Sequence, residues 1–189
     1  MRKLPTRARV GARDALLQAA TQLLARNPGA TLEEVSLEAG VGRATLFRYF
    51  PTRSELLREV GVAAMARLEG SLDQVDLSAG SSVDKLGRLV DALVPWGEQL
   101  RFLLVASELY EDEALARAEE RIDARILPVF RAAKADGTLR ADIPDGWLFE
   151  AFEALLYASW TAVAKGGVAR KDAGPLLLET LLHGFGGRP

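Results

Sequence analysis

A short stretch after residue 40 carries polar and basic side chains that could bind nucleic acid. Arg43, Thr45, Arg48 and Tyr49 fall within seven residues, so in a helix they would lie on or near one exposed face. Arginine, threonine and tyrosine side chains bind phosphate oxygens, and arginine and threonine also bind base edges in the major groove. The pattern therefore indicates a DNA-reading helix.

Most other chemistry finds no support in the residue types. The chain has no cysteine and one histidine, His183, which excludes disulfides, thiolate nucleophiles and a histidine metal cluster. It contains neither a Gly-x-Ser-x-Gly elbow nor a phosphate-binding glycine loop. We predict a protein that is not an enzyme and has no metal or cofactor. A helical adaptor that binds other proteins stays open as the alternative function.

Charge is distributed unevenly along the chain. Residues 1–53 contain nine basic and four acidic residues, whereas the remainder contains 15 basic and 22 acidic residues. A basic N-terminal segment followed by an acidic remainder is typical of a protein that presents one end to a polyanion. A chance excess of solvated arginines would give the same distribution. The first basic residues are open to two interpretations, a minor-groove arm or a solubilising tail; they are Arg2, Lys3, Arg7 and Arg9.

The elements around the basic stretch resemble two short helices joined by a tight turn. Thr31 and Glu34 have the spacing of a capping box at the start of the first helix. Gly40 provides the residue that tolerates positive φ in the turn. Val35, Val41 and Leu46 are predicted to form the small core of the pair, so the polar residues of the second helix face outward.

Helical periodicity continues through the rest of the chain. We predict an all-α fold of nine helices and no sheet, with breaks at residues 76–82 and 137–144. The predicted helices lie at about 10–26, 31–39, 43–49, 52–68, 83–94, 96–110, 112–135, 146–165 and 172–185. We expect a DNA-binding domain over residues 1–53 and a helical domain over residues 54–189. No apolar run is long enough to span a bilayer, so we expect no membrane association and a cytoplasmic protein.

The turn and second helix resemble a known family signature. Residues 39–57 read Ala-Gly-Val-Gly-Arg-Ala-Thr-Leu-Phe-Arg-Tyr-Phe-Pro-Thr-Arg-Ser-Glu-Leu-Leu, which is similar to the signature of TetR-type transcriptional repressors. The signature is specific because it fixes glycine, threonine, aromatic and basic positions over nearly twenty residues. The similarity covers residues 10–57 well. Beyond them the chain matches in length, helical character and the order of its breaks.

The resemblance implies roles for individual residues. Arg43, Ala44 and Thr45 would lie near bases at the start of the recognition helix, and Tyr49 would contact a phosphate. Arg53 would reach the DNA backbone, and Thr31 would set the amino end of its helix against another phosphate. With Arg48, on the same exposed face, these residues form the predicted DNA-binding set.

Three positions depart from the family pattern. Phe47 stands where family members usually have tyrosine, so one phosphate-contacting hydroxyl is missing. Gly42 replaces a common serine cap, which should cost a few tenths of a kcal/mol, roughly, in helix capping. Ser36 replaces a usual alanine of similar size.

A single helix-turn-helix reads only a short half-site, so we expect a homodimer. The helix at about 147–165 is apolar around much of its circumference, which predicts a second apolar partner. With the last helix it could form a four-helix bundle across a two-fold axis, as the resemblance also implies; burial of both helices within one subunit is the alternative. The predicted interface residues are Phe149, Leu156, Trp160, Leu177, Leu178, Leu181, Leu182 and Phe185.

Aromatic residues between the fourth and eighth helices could surround a cavity for a small-molecule effector. The predicted lining residues are Trp96, Phe102, Leu103, Tyr110, Phe130, Phe152, Tyr157 and Trp160, each of which could equally be ordinary core. Polar residues that could orient a ligand, or simply face solvent, are Glu98, Ser107, Glu108 and Glu153. We predict a repressor that a ligand releases from a palindromic operator, with the fourth helix transmitting the change.

Overall fold

The computed structural model describes residues 11–104, 106–109 and 111–187. These residues contain nine α-helices and no β-strand, which confirms the predicted all-α fold. The helices are α1 Ala12–Arg26, α2 Leu32–Glu38, α3 Arg43–Tyr49, α4 Arg53–Leu72, α5 Ser82–Leu93, α6 Gly97–Leu100, α7 Glu113–Ala135, α8 Asp145–Ala164 and α9 Arg170–Phe185. None of the helices in the described ranges has the length and apolar character needed to cross a bilayer.

The capping, turn and helix-end features predicted around α2 and α3 are present in the structure. The Thr31 hydroxyl accepts a hydrogen bond from the Glu34 amide at 3.2 Å, and the Glu34 carboxylate accepts from the Thr31 amide at 2.7 Å. Gly40 has a φ of 63°, a conformation that a residue with a Cβ rarely adopts. α3 ends before Pro51, where the preceding Phe50 is driven to an extended φ of −134°.

A small apolar core joins the first four helices. Leu16, Leu24, Leu46 and Phe50 are almost completely buried in it. The predicted internal contacts of the helix pair are present, since Val35 is also buried and Val41 packs against the same cluster. Burying these side chains on one side leaves the opposite side of α3 to face outward.

The small core extends past residue 53. Leu56, Leu57 and Val60 of α4 belong to it, and so do Phe102 and Leu109 from the chain between α6 and α7. The N-terminal part of α4 is therefore packed as part of the α1–α3 unit. Its other end, from Ala64 to Leu72, lies in the larger core built by α5, α7, α8 and α9.

The chain around α6 differs from the single helix predicted over residues 96–110. It contains one short α-helix, with 3₁₀ turns at Val94–Trp96, Arg101–Leu104 and Ser107–Leu109. Leu100 packs into the larger core, while Phe102, Ala106 and Leu109 pack into the smaller one. This segment lies between the two cores, so its conformation follows tertiary packing rather than a single amphipathic stripe.

Candidate DNA interface and ligand cavity

α3 presents a polar face to solvent and an apolar face to the core. Arg43, Ala44, Arg48 and Tyr49 are exposed and Thr45 is half-buried, whereas Leu46 is completely buried. Tyr49 is 39 % exposed, so its hydroxyl-bearing ring is not a core side chain. The predicted reading surface is therefore brought together on one helix.

Arg43 is held by two contacts that the sequence reasoning missed. Its guanidinium lies 2.9 Å from a carboxylate oxygen of Glu33 on α2 and 5.4 Å from the centre of the Phe47 ring. An ion pair between exposed groups contributes little to stability, but it restricts where the guanidinium points. Phe47, which lacks the hydroxyl usual in the family, thus supports a basic residue at the same surface.

Arg48 and Tyr49 lie against each other. The Arg48 guanidinium is 5.0 Å from the centre of the Tyr49 ring, a cation–π distance. Both side chains are exposed at the C-terminal end of α3. Together they place one positive charge and one hydroxyl where a phosphate could bind both.

Thr31 and Arg53 have structural contacts in addition to their predicted role at DNA. Arg53 donates hydrogen bonds to the carbonyl oxygens of Pro28 at 2.9 Å and Ala30 at 3.3 Å, which fixes the loop before α2. Thr31 follows that loop and caps α2. Arg53 thereby positions the α2 amino end, and direct phosphate contact by either residue stays a prediction.

A cavity of about 550 Å³ lies in the helical domain, between α4, α5, α7, α8 and the chain around α6. A volume of this size suits a drug-sized organic molecule. Its walls are mostly apolar and include aromatic rings; the apolar and aromatic lining residues include Leu68, Leu93, Leu100, Leu103, Leu109, Leu115, Ile122, Ile126, Phe152, Leu156, Tyr157 and Trp160.

Four carboxylates also line the cavity: Asp112, Glu119, Asp123 and Glu153. In the part of the chain that the structure describes, neither Asp123 nor Glu153 has an arginine or lysine at ion-pair distance. An apolar cavity with uncompensated negative charge is an unfavourable environment for an anion and a favourable one for a cation.

The surroundings of Asp123 and Glu153 raise the pKa of both carboxyl groups. Burial, followed by the charges of Glu119, Glu120 and Glu150, raises the pKa of Asp123 to about 6. Burial, followed by the charges of Asp123, Glu119 and Glu150, raises the pKa of Glu153 to about 7. The same combination of burial and neighbouring charge raises the pKa of Tyr157 to about 12. Each shift reflects the cost of keeping negative charge in a buried site beside other carboxylates.

Asp112 differs from the other carboxylates because it is well partnered. One carboxylate oxygen accepts from the amides of Ala114 and Leu115, and the other lies 2.8 Å from Nε of Arg58. Burial alone would raise the pKa of Asp112, but these hydrogen bonds and the Arg58 charge hold it below its ordinary value. Asp112 therefore remains ionised at the edge of the cavity.

The structure divides the predicted lining residues into two groups. Phe152, Tyr157, Leu103 and Trp160 line the cavity. Trp96, Phe102 and Phe130 do not, which corrects the prediction for these three: Phe102 is completely buried in the smaller core, Phe130 packs edge-on against Phe152, and Trp96 donates to the Ser71 hydroxyl. Glu153 lies at the cavity, whereas Glu98 pairs with Arg170 on the surface and Ser107 is exposed.

The predicted dimer residues also separate into two groups. Leu156, Trp160, Leu177 and Leu181 are buried within the subunit, so they cannot present a surface to a second copy, and the prediction is wrong for them. Trp160 instead forms part of the cavity wall, with its indole donating to the Val94 carbonyl at 3.1 Å. Half-buried residues of the set pack against the larger core: Phe149, Leu178, Leu182 and Phe185.

The exposed apolar side chains of α8 and α9 lie elsewhere on these helices. Trp147 is 65 % exposed and Leu176 is 47 % exposed. Ala154 and Ala158 are also exposed and share a helical face with Trp147. Other predicted features, namely the arm of Arg2, Lys3, Arg7 and Arg9, the residue Tyr110 and the side chain of Glu108, lie outside the described residues.

The N-terminal unit matches a family model. Residues 16–60 match the model described as bacterial regulatory proteins of the tetR family. The match includes most of α1, all of α2 and α3, and the first part of α4, which are the elements that bury Leu46 and expose Arg43.

Relatives extend the similarity over almost the whole chain. The HTH-type transcriptional repressor LfrR of Mycolicibacterium smegmatis is 30% identical over 178 residues, covering 94% of this chain and 92% of LfrR. The HTH-type transcriptional regulator NfxB of Pseudomonas aeruginosa is 27% identical over 175 residues, covering 89% of this chain and 91% of NfxB. The crystal structure of LfrR in complex with proflavine superposes with a TM-score of 0.75 at 30% identity, covering 94% of this chain and 99% of that one.

Proposed function

The chain belongs to the TetR family of bacterial regulatory proteins, and from that premise we propose that it is a dimeric repressor released from its operator by an organic cation. As a member of this family it is a DNA-binding transcriptional regulator rather than an enzyme. The observation that carries the proposal is the two-sided character of α3, which buries Leu46 and exposes Arg43, Arg48 and Tyr49. In this account the protein acts on DNA in the cytoplasm.

Two copies are needed because one α3 reads only a short half-site. Two-fold symmetry places the second α3 about 34–36 Å away, or a multiple of this distance, and requires a palindromic operator. The outer faces of α8 and α9 are the proposed interface, since Trp147 and Leu176 leave apolar area exposed there. Large aromatic side chains are typical anchors of such interfaces.

The cavity is the proposed effector site, and its charge selects the effector. Asp123 and Glu153 place negative charge beside the rings of Tyr157 and Trp160, whose centres lie 5.5 Å apart. Aromatic faces and carboxylates both attract an organic cation, whereas the carboxylates of α7 and α8 would repel an anion. The complex of the relative LfrR with proflavine, a cationic planar dye, supports this choice.

A cation should bind more tightly as the pH rises. Asp123 and Glu153 have pKa values of about 6 and about 7, so both are largely protonated at pH 5 and largely ionised at pH 8. We expect the affinity for proflavine, measured by calorimetry without DNA, to increase about tenfold or more across this range. Glu153→Gln should weaken binding at pH 8 and reduce its pH dependence.

The matched control is Glu113→Gln, which removes an exposed carboxylate of α7 outside the cavity. It should bind proflavine like the unmodified protein at both pH values. Release of the protein from DNA is measured with the region upstream of its own gene. Because proflavine also intercalates into DNA, the release seen with the Glu153→Gln variant, which should bind the dye weakly, is subtracted. Equal binding at pH 5 and pH 8, or equal loss in both variants, would rule out a cation held by this pair.

A further inference from the structure

Arg58 and Gly61 lie on one face of α4, and both contact residues that line the ligand cavity. The Nε atom of Arg58 lies 2.8 Å from a carboxylate oxygen of Asp112. One turn later, the backbone of Gly61 packs so closely that a Cβ there would lie 3.0 Å from Leu103 and 3.1 Å from Leu115. Asp112, Leu103 and Leu115 all line the cavity.

Asp112 holds both the start of α7 and the side of α4. It is the N-cap of α7, accepting from the Ala114 amide at 2.9 Å and the Leu115 amide at 3.1 Å. The same carboxylate binds Arg58, and its side chain is only 18 % exposed. Any displacement of this carboxylate by a molecule in the cavity therefore acts on α4 directly.

The DNA side of α4 is joined firmly to the recognition helix. α4 begins at Arg53, four positions after α3 ends at Tyr49. Leu56 and Leu57 are buried in the same core as Leu46. A shift of the first turns of α4 must therefore move α3, because close-packed side chains transmit displacement rather than absorb it.

We infer that the Arg58–Asp112 ion pair is the contact that couples effector binding in the cavity to the position of the DNA-reading helix. The inference rests on the proposed function and specifies how the same site is regulated. A cation held by Asp123 and Glu153 displaces the Leu103 and Leu115 side chains that contact Gly61, and the Arg58–Asp112 pair carries the resulting shift of the α7 amino end to α4. Arg58 is a positioning residue in this scheme, since it acts on DNA through α4.

The test separates coupling from binding. Proflavine affinity is measured without DNA, and operator affinity is measured with and without saturating proflavine, for the unmodified protein and Arg58→Gln. For the unmodified protein we expect the effector to weaken operator binding by about 10- to 100-fold, the usual range of such coupling. The affinity of Arg58→Gln for proflavine alone and for the operator alone should each stay within about threefold of the unmodified protein. Proflavine should change the operator affinity of this variant by less than about threefold, which is below that usual range.

A second ion pair between the same helices provides the control. Arg121 of α7 lies 3.0 Å from Glu69 of α4, and neither residue lines the cavity. Arg121→Gln should retain the full effect of proflavine on operator binding, and Arg58→Lys, which keeps the charge, should retain most of it.

Three results would overturn the inference. The first is an unchanged effector effect in Arg58→Gln. The second is a loss of coupling as large in Arg121→Gln as in Arg58→Gln. The third is loss of operator binding in both Arg58→Gln and Arg58→Lys without effector, which would make Arg58 part of the DNA interface. Failure of proflavine to act on the unmodified protein is distinguishable from these, because it would contradict the proposed function itself.

Discussion

Leu46→Ala is expected to lower the free energy of unfolding by about 2–5 kcal/mol, the range for removing a buried leucine side chain. Leu46 has no exposed surface and is the only residue of α3 that is completely buried in the small core. Removing its side chain leaves a void between α3 and the residues that hold it. The loss is measured by urea denaturation, and operator binding should fall in parallel because α3 is no longer held in place.

Arg48→Ala is the matched control on the same helix. Arg48 is exposed and contacts only the Tyr49 ring among the contacts described for it, so the stability should change by less than about 0.5 kcal/mol. An equal loss of stability in the two variants would show that α3 is not oriented with Leu46 inward, and would remove the basis for placing Arg43 at DNA.

Arg43→Ala is expected to weaken operator binding by about 10- to 100-fold and to relax the base preference at one position of each half-site. A bidentate contact between arginine and guanine contributes about 1–3 kcal/mol of discrimination. The ion pair with Glu33 keeps the Arg43 side chain at the surface, where DNA can reach it, and not in the core. Binding to the operator and to single-base variants of it provides the measurement.

Arg53→Ala is the comparison that distinguishes base reading from general attraction. Arg53 fixes the loop that carries Thr31, so its loss should weaken binding to all sequences to a similar extent. Unchanged base preference in Arg43→Ala, or a change as specific in Arg53→Ala, would contradict the assignment of Arg43 to a base edge.

The DNA-binding unit was predictable because its signals are local. The Thr31–Glu34 capping box and the positive φ of Gly40 each depend on a few neighbouring residues, and both are present in the structure. The alternation of buried Leu46 with exposed Arg43 and Tyr49 follows from helical periodicity once the turn is fixed.

The cavity was less predictable because non-local packing decides which face of an aromatic residue is covered. α8 is apolar around most of its circumference, so its sequence could not separate Trp160, which faces the cavity, from Trp147, which faces outward. Asp123 carried one signal that was missed: an acidic residue beside Ile122 and four positions after Glu119 on a partly apolar helix. Arg58 and Asp112 are 54 residues apart, and no local pattern indicates such a pair.

Footprinting of the protein on its operator shows whether two copies of α3 read DNA together. If two copies of α3 enter successive major grooves, hydroxyl-radical cleavage should show two equivalent protected regions whose centres lie about 34–36 Å apart or a multiple of this distance. The protection should weaken steeply as salt rises from 50 to 200 mM, roughly the range over which phosphate contacts lose most of their affinity. A single protected region, or protection that does not depend on salt, would contradict the account.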